Sequence, residues 1–398
     1  MNQMTGGIPR YRAWSGPAVL SAGFRPFFLI AGVWAAVAVP LWLCVLIGHL
    51  TIPSAFGPVA WHAHEMLFGF IQAAIAGFLL TAVPNWTGRM PIQGWSLGAL
   101  AALLVAGRVA VAFSGVTGPG LAAIVDLAFP VALAAALGRE IIAGRNWRNL
   151  PMLGILGVLG IANGMTHLEA MGWASTGVTG LRLGIAVVLL LIGLVGGRVI
   201  PSFTRNWLVK RGEKRLPAPA GRLDQAAMAA TAAALVAWVC APGWVGVAPL
   251  MALAAVATAV RLARWRGLLT GAEPLVWVLH LGFAWLPVGY ALMALAPVMG
   301  FAETAALHAL TGGAMTTMIV AVATRATRGH TGRALVADRP TVVLYGLVTL
   351  AAAARVVAGI AAGATMQLLT VAALAWTGAF VLFLVLYAPM LLRPRPGR

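Results

Sequence analysis

The sequence predicts an all-α, polytopic membrane protein with about twelve transmembrane helices. Three observations carry that expectation: an extreme hydrophobic composition, a series of long apolar runs, and the placement of the arginines between them. Of 398 residues, 61% are hydrophobic and only 9% are charged, and mean hydropathy is +0.93. Soluble domains carry about 25% charged residues. A soluble fold of this composition would leave far too much apolar surface in water.

A hydrocarbon core of ~30 Å needs about 20 apolar residues per helix. Twelve such runs occur, at approximately 26–50, 61–83, 95–113, 119–138, 151–171, 178–200, 223–241, 245–263, 274–297, 302–324, 341–361 and 367–391. The connections between them are short, so the chain is expected to form one integral membrane domain over residues 1–398. No A-x-A cleavage site follows the first run, which therefore reads as a retained helix.

The net charge of +18 resembles a nucleic-acid footprint until the basic residues are placed. All but three of the 27 lysines and arginines fall on one side, at the chain termini or at and just beyond the ends of even-numbered runs. By the positive-inside rule that side is the cytoplasm, with both termini inside. The charge is then a topology signal, and nucleic acid is excluded. Cys44 and Cys240 both lie in apolar runs, which excludes a disulfide scaffold.

The three exceptions are Arg108, Arg182 and Arg355, near the outer ends of runs three, six and eleven. Glu65, Asp126, Glu169 and Glu303 accompany them, as do His49, His62, His64, His167 and His308. Ionisable groups inside a membrane are expensive and are usually functional or paired. The outer half is the expected working half.

A threefold echo runs through the chain. Aligning the ends of runs two, six and ten puts Thr87, Thr204 and Thr331 in register; His64 then falls on His308 and Gly69 on Gly313. Pro26, Pro151 and Pro274 each stand where runs one, five and nine open, a favourable first-turn position. Three four-helix pseudo-repeats are expected, at about 24–140, 149–266 and 272–392.

Run two opens with Trp61-His62-Ala63-His64-Glu65-Met66. Residues two apart on a helix lie ~200° apart, so His62 and His64 serve opposite faces and two different centres. Below His62 come Gly69, Ala73 and Gly77, leaving room for a flat ligand or another helix. Below His64 come Phe68, Ile71, Ile75 and Phe78, an apolar wall. Run ten sets His308 and Met315 on one face, run five sets Asn163 beside His167, and His280 is the deepest histidine of the inner half. Interface positions suit His49 and His330. Neutral imidazole from several helices suits haem iron, copper or zinc. The Gly and Phe surroundings and the outer arginines favour haem, with Arg108, Arg182 and Arg355 as propionate partners. No C-x-x-C-H motif is present, so covalent c-type haem is excluded.

Several long motifs are similar to those of the NnrS family: Trp61 to Met66, Gly77 to Gly88, Gly197 to Thr204, Val278-Leu-His-Leu281, and Arg325 to Arg333. The resemblance spans essentially the whole chain. It implies a twelve-helix bacterial inner-membrane protein containing haem b and copper, tied to denitrification and to nitrosative stress. A weaker analogy links runs two, six and ten to the layout of haem-copper oxidases, although no His-His pair for an oxidase copper exists here.

The leading expectation is an oxidoreductase that converts nitric oxide to nitrous oxide. His62, His64 and His308 are the expected metal ligands, followed by His167 and His280, with Glu65 as proton donor. Electrons are expected from quinol or a small periplasmic donor. Protons are expected from outside through Glu65, Asp126, Glu169 or Glu303, because no acid is evident in the inner half of a helix. Two other functions fit the same residues: a non-catalytic haem or copper protein that senses NO or protects metal centres, and a secondary transporter.

Overall fold

The computed structural model describes residues 14–174 and 178–395. The expected basic residues Arg10, Arg12 and Arg398 lie outside the described residues. Among those described, eleven helices of 18 residues or more are apolar enough to cross a membrane, and Val247–Ala263 is an apolar helix just below that length. In chain order they are α1 Phe24–Leu46, α2 Pro58–Thr87, α3 Trp95–Ala112, α4 Pro119–Ala143, α5 Pro151–Ala170, α6 Thr179–Lys210, α7 Arg222–Cys240, α8 Val247–Ala263, α9 Pro274–Met299, α10 Glu303–His330, α11 Arg339–Ala358 and α12 Thr365–Leu392. No strand occurs among the described residues. An all-helical membrane domain follows from the absence of water to satisfy any other backbone in hydrocarbon.

Most helices pack on their neighbours in sequence, and α12 returns against α1 to close the set. Inside stand α2, α6 and α10, whose most apolar windows are 78%, 56% and 67% buried; no other described helix exceeds 50%. With short connections the helices alternate in direction, so these three run the same way. They descend from the end that carries His62, His64 and His308 to the end rich in arginine.

Two of the central helices depart from regular α geometry. Immediately after His64, residues Glu65–Ile71 form a π-helical turn, and immediately after His308, Ala309–Met315 do the same. A π turn widens the helix and rotates the residues beyond it, and such turns gather at functional positions. Periodicity at 3.6 residues per turn gave no warning of either.

Four helices run past their expected ends. The second and sixth runs are expected to stop at 83 and 200, just before Pro84 and Pro201, yet α2 continues to Thr87 and α6 to Lys210, and α4 runs on from 138 to Ala143. A proline removes one backbone bond, a loss that packed membrane helices tolerate. Beyond Pro201, the Arg211 guanidinium lies 4.4 Å from the Trp207 ring. On α10 the helix continues to His330, and Arg328 within it reaches Tyr387 of α12.

The arginine-rich end also corrects one expectation. Glu140 and Asp224 lie inside the terminal turns of α4 and α7 and are buried. Each is paired: Glu140 with Arg89 at 2.6 Å and Arg139 at 2.9 Å, Asp224 with Arg261 at 3.0 Å and Arg264 at 3.3 Å. Arginine partners allow buried carboxylates there.

Candidate metal centre

His64 is fully buried on the side of α2 that faces α4 and α5. From α4 comes Asp126, and from α5 come Asn163 and His167, one turn apart as i and i+4. Asp126 Oδ2 is 3.0 Å from His167 Nε2 and 3.4 Å from His64 Nε2. One ligand atom from each of His64, Asp126 and His167 lies within 4.8 Å of the others. Metal–nitrogen and metal–oxygen bonds of ~2.0–2.2 Å in a tetrahedral site separate ligand atoms by about 3.3–3.6 Å, close to the distances from Asp126 to the two histidines.

The surroundings orient these ligands. His64 Nδ1 lies 3.2 Å from Glu65 Oε1. Arg108 donates to Glu65 Oε1 at 2.8 Å and, through its other terminal nitrogen, to Asp126 Oδ1. The Asn163 amide donates to Asp126 Oδ2 at 2.9 Å while its oxygen stands 2.9 Å from His64 Nε2. Close packing of α3 on α4 makes this possible: a Cβ on Gly107 would lie 2.6 Å from Asp126 Oδ1. Carboxylates behind a ligating imidazole fix its tautomer and raise its basicity.

Proton accounting shows what the group lacks. If His64 Nδ1–H donates to Glu65, Nε2 turns a lone pair toward the oxygens of Asp126 and Asn163. If Nε2–H donates instead, Nδ1 turns its lone pair to the Glu65 carboxylate. Beside an ionised Glu65, a neutral His64 leaves one side unsatisfied in either case, and one added proton or a metal cation satisfies both. Two carboxylates and one guanidinium also leave the buried group one positive charge short.

The opposite side of α2 holds a second assembly. The His62 ring stacks on Trp42 of α1, with centroids 4.1 Å apart. His62, His308 of α10 and Arg355 of α11 lie close enough to act on one another's charge. His308 Nδ1 donates to the Thr304 carbonyl at 2.7 Å, which leaves Nε2 as the nitrogen with a lone pair. Nearby, His62 Nδ1 and the indole nitrogens of Trp34, Trp42 and Trp61 are buried with no partner among the described residues. The three indoles belong to one apolar cluster against α1, α2 and the loop at Phe56. Buried polar groups are nearly always bonded, so four orphans in one place mark a position where an acceptor-bearing group fits.

The structure distributes the other expected residues widely. His280 gives its Nε2 to Thr204 Oγ1 at 2.8 Å and sits against Gly267 and Trp265, far along α9 from the histidine-rich end. Arg182 lies over Trp238, whose indole donates to Glu303 at 2.8 Å. Arg108 is committed to Glu65 and Asp126. Met315 ends a π turn at the protein centre and is wholly buried. Glu169, His49 and His330 are exposed. The small-residue face of α2 takes another helix: Gly69 packs on Trp34 and Gly77 on Phe28, both of α1. Asp126 and Asn163 as companions of His64 are new. Their signal was an isolated acid within an apolar run and an amide one turn from His167.

No curated protein matches the chain. The family model described as NnrS protein matches residues 18–395, nearly the full length, and the chain belongs to the NnrS protein family.

Proposed function

We propose that this membrane protein carries two metal centres on opposite sides of α2 and uses them to reduce nitric oxide to nitrous oxide. The observation that carries the proposal is the buried His64–Asp126–His167 group, whose convergent acceptors and missing positive charge suit a metal cation. Two imidazoles and a carboxylate suit a first-row transition metal, copper or non-haem iron, and copper is the one proposed here. The residues on the other side suit haem: His62 or His308 would hold iron and leave a position for NO, Arg355 would pair with a propionate, and the orphan indole donors would find acceptors. Family membership supports the link to nitric oxide.

The overall reaction consumes two NO, two electrons and two protons and yields N2O and water. Bound haem would supply a redox-active iron with a position for NO. The chain's own residues hold and orient: Glu65 and Asn163 fix the His64 ring, Arg108 holds the Asp126 and Glu65 carboxylates in place, and Phe56 and Phe68 pack against the His64 ring. Glu65 Oε2 is buried without a partner and is the group nearest the histidines that could hold a proton for the reaction. Electrons would come from quinol or a small periplasmic donor. The arginine-rich end is the cytoplasmic one in this proposal, with both termini inside the bacterial inner membrane. The chain would consist of three four-helix pseudo-repeats; the two π turns, each following a histidine of the aligned pair His64 and His308, support that division.

The test is a reduced-minus-oxidised absorbance spectrum of purified protein, repeated with NO, alongside N2O measurement under a quinol donor. Haem bands that shift with NO, with N2O formed, support the proposal. Haem that binds NO without forming N2O leaves a sensing or protective protein. A spectrum without haem overturns it.

A further inference from the structure

The three central helices do not meet closely along their whole length. Between α2, α6 and α10, with Phe28 of α1 at one side, lies a cavity of about 90 Å3. All fourteen of its lining residues are apolar, and none carries a charge or a hydrogen-bonding side chain. A buried water needs two to four polar partners, whereas apolar cavities stay dry and take apolar guests; one of 150 Å3 accepts benzene or xenon. This smaller space suits a molecule of two or three atoms.

Position adds a direction. At the histidine end the lining is Ile71, Val188 and Met315, all buried; toward the arginine-rich end it is Phe78, Val195 and Val322, all half-buried. Every half-buried lining residue (Phe78, Ile192, Val195, Ile319 and Val322) lies below Ile71, Val188 and Met315, so the cavity is closed above and is reached from below that ceiling, where Phe28 and Gly196 are buried. Ile71 and Met315 are the last residues of the two π turns. Each follows its histidine, His64 or His308, by seven residues, about 10 Å at 1.5 Å per residue. The ceiling of the cavity is therefore built from the two segments that leave the two histidine groups.

We propose that this cavity binds a small apolar gas and delivers it to the histidine groups from the arginine-rich side of the membrane. The route rests on the function proposed above, for which the gas is nitric oxide; the binding site itself does not. NO carries no charge and little dipole, so a dry apolar space admits it while holding back water and ions. The π turns put Ile71 and Met315 at the step between the cavity and the two groups.

The experiment combines two readouts on the wild type, Val195→Phe and Val195→Ala. Val195 is half-buried, so the phenylalanine can enter the cavity without displacing a fully packed neighbour. Crystals of each protein are pressurised with xenon, and NO association with the reduced protein is followed by flash photolysis. We expect xenon between Ile75, Leu191 and Met318 in the wild type and in Val195→Ala, and none in Val195→Phe. NO association in Val195→Phe should slow on the order of tenfold, within the range over which single substitutions move association rates, with its equilibrium spectrum unchanged. No xenon in the wild-type cavity overturns the site. Xenon lost with NO association unchanged overturns the route. Xenon binding needs neither metal nor NO, so a protein that takes xenon and no NO keeps the site and loses the function proposed above.

Discussion

The rings of His64 and His167 meet nearly edge to face, 5.2 Å between centroids and 81° between planes, with Asp126 Oδ2 between their Nε2 atoms. Three helices thereby point three donor atoms into one fully buried volume. Replacing Asp126 with asparagine removes the central anionic donor and should abolish metal at this position while sparing haem. Metal content by mass spectrometry beside the haem spectrum checks it; full metal retention in Asp126→Asn would exclude Asp126 as a ligand.

Glu65 backs His64 and does not share in the converging atoms. Glu65→Gln keeps the shape and removes the charge, and loss of such a backing carboxylate typically weakens a metal site 10–100-fold. We expect a drop of that size in competition with a chelator. An unchanged affinity would show that His64 Nδ1 does not depend on Glu65.

Arg108 holds two buried carboxylates at once. Arg108→Leu leaves both without their cation, and breaking a buried pair from one side destabilises by about 3–5 kcal/mol. Thermal unfolding in detergent should show a clear drop. The double variant Arg108→Leu with Asp126→Asn should recover part of it, because one of the stranded charges is gone.

His308 and His280 make a contrast between two histidines of α10 and α9. His308→Ala should remove or shift the haem bands, since its Nδ1 bond to Thr304 dedicates Nε2 to an outside partner. His280→Ala should leave the spectrum unchanged and lower stability by ~1–3 kcal/mol, the effect of stranding a buried hydrogen-bonding partner, here Thr204. Absorbance spectra of the two variants decide between them.

At the arginine-rich end, Asp338 caps the N-terminus of α11. Partial burial pushes its carboxyl upward, but the Thr341 hydroxyl and amide and the Arg328 guanidinium outweigh that and hold it below the usual carboxylate range. A depressed value means stability present above the unfolded value of ~3.9 and lost as pH falls through the folded one. Unfolding followed from about pH 6 down to about pH 3 should therefore show an acid limb that flattens in Asp338→Asn.

Much of this was legible in the residues. Hydropathy located all twelve helices, and the alignment of His64 with His308 singled out α2 and α10, two of the three helices that stand inside. Helical periodicity separated His62 from His64. What it missed is physical. The π turns break the 3.6-residue period just after each histidine, so Phe68 stays beside His64 while Ile71, Ile75 and Phe78 swing to the centre. Asp126 and Asn163 come from runs whose faces only tertiary packing can match. Nor did the sequence show that Arg108 stands against Asp126 and Glu65, or Arg182 over Trp238, contacts that only tertiary packing brings together.

One consequence comes from α2 alone. Because His62 and His64 leave the same stretch of backbone on opposite sides, whatever each holds is separated by little more than the body of one helix, ~10–12 Å across. In the function proposed above, an electron arriving at either group would need no further carrier to reach the other, and the insulation between the two would be a single rod of peptide. Substitutions that tilt or slide that rod would change both potentials together, so the two centres would be expected to tune as one conductor.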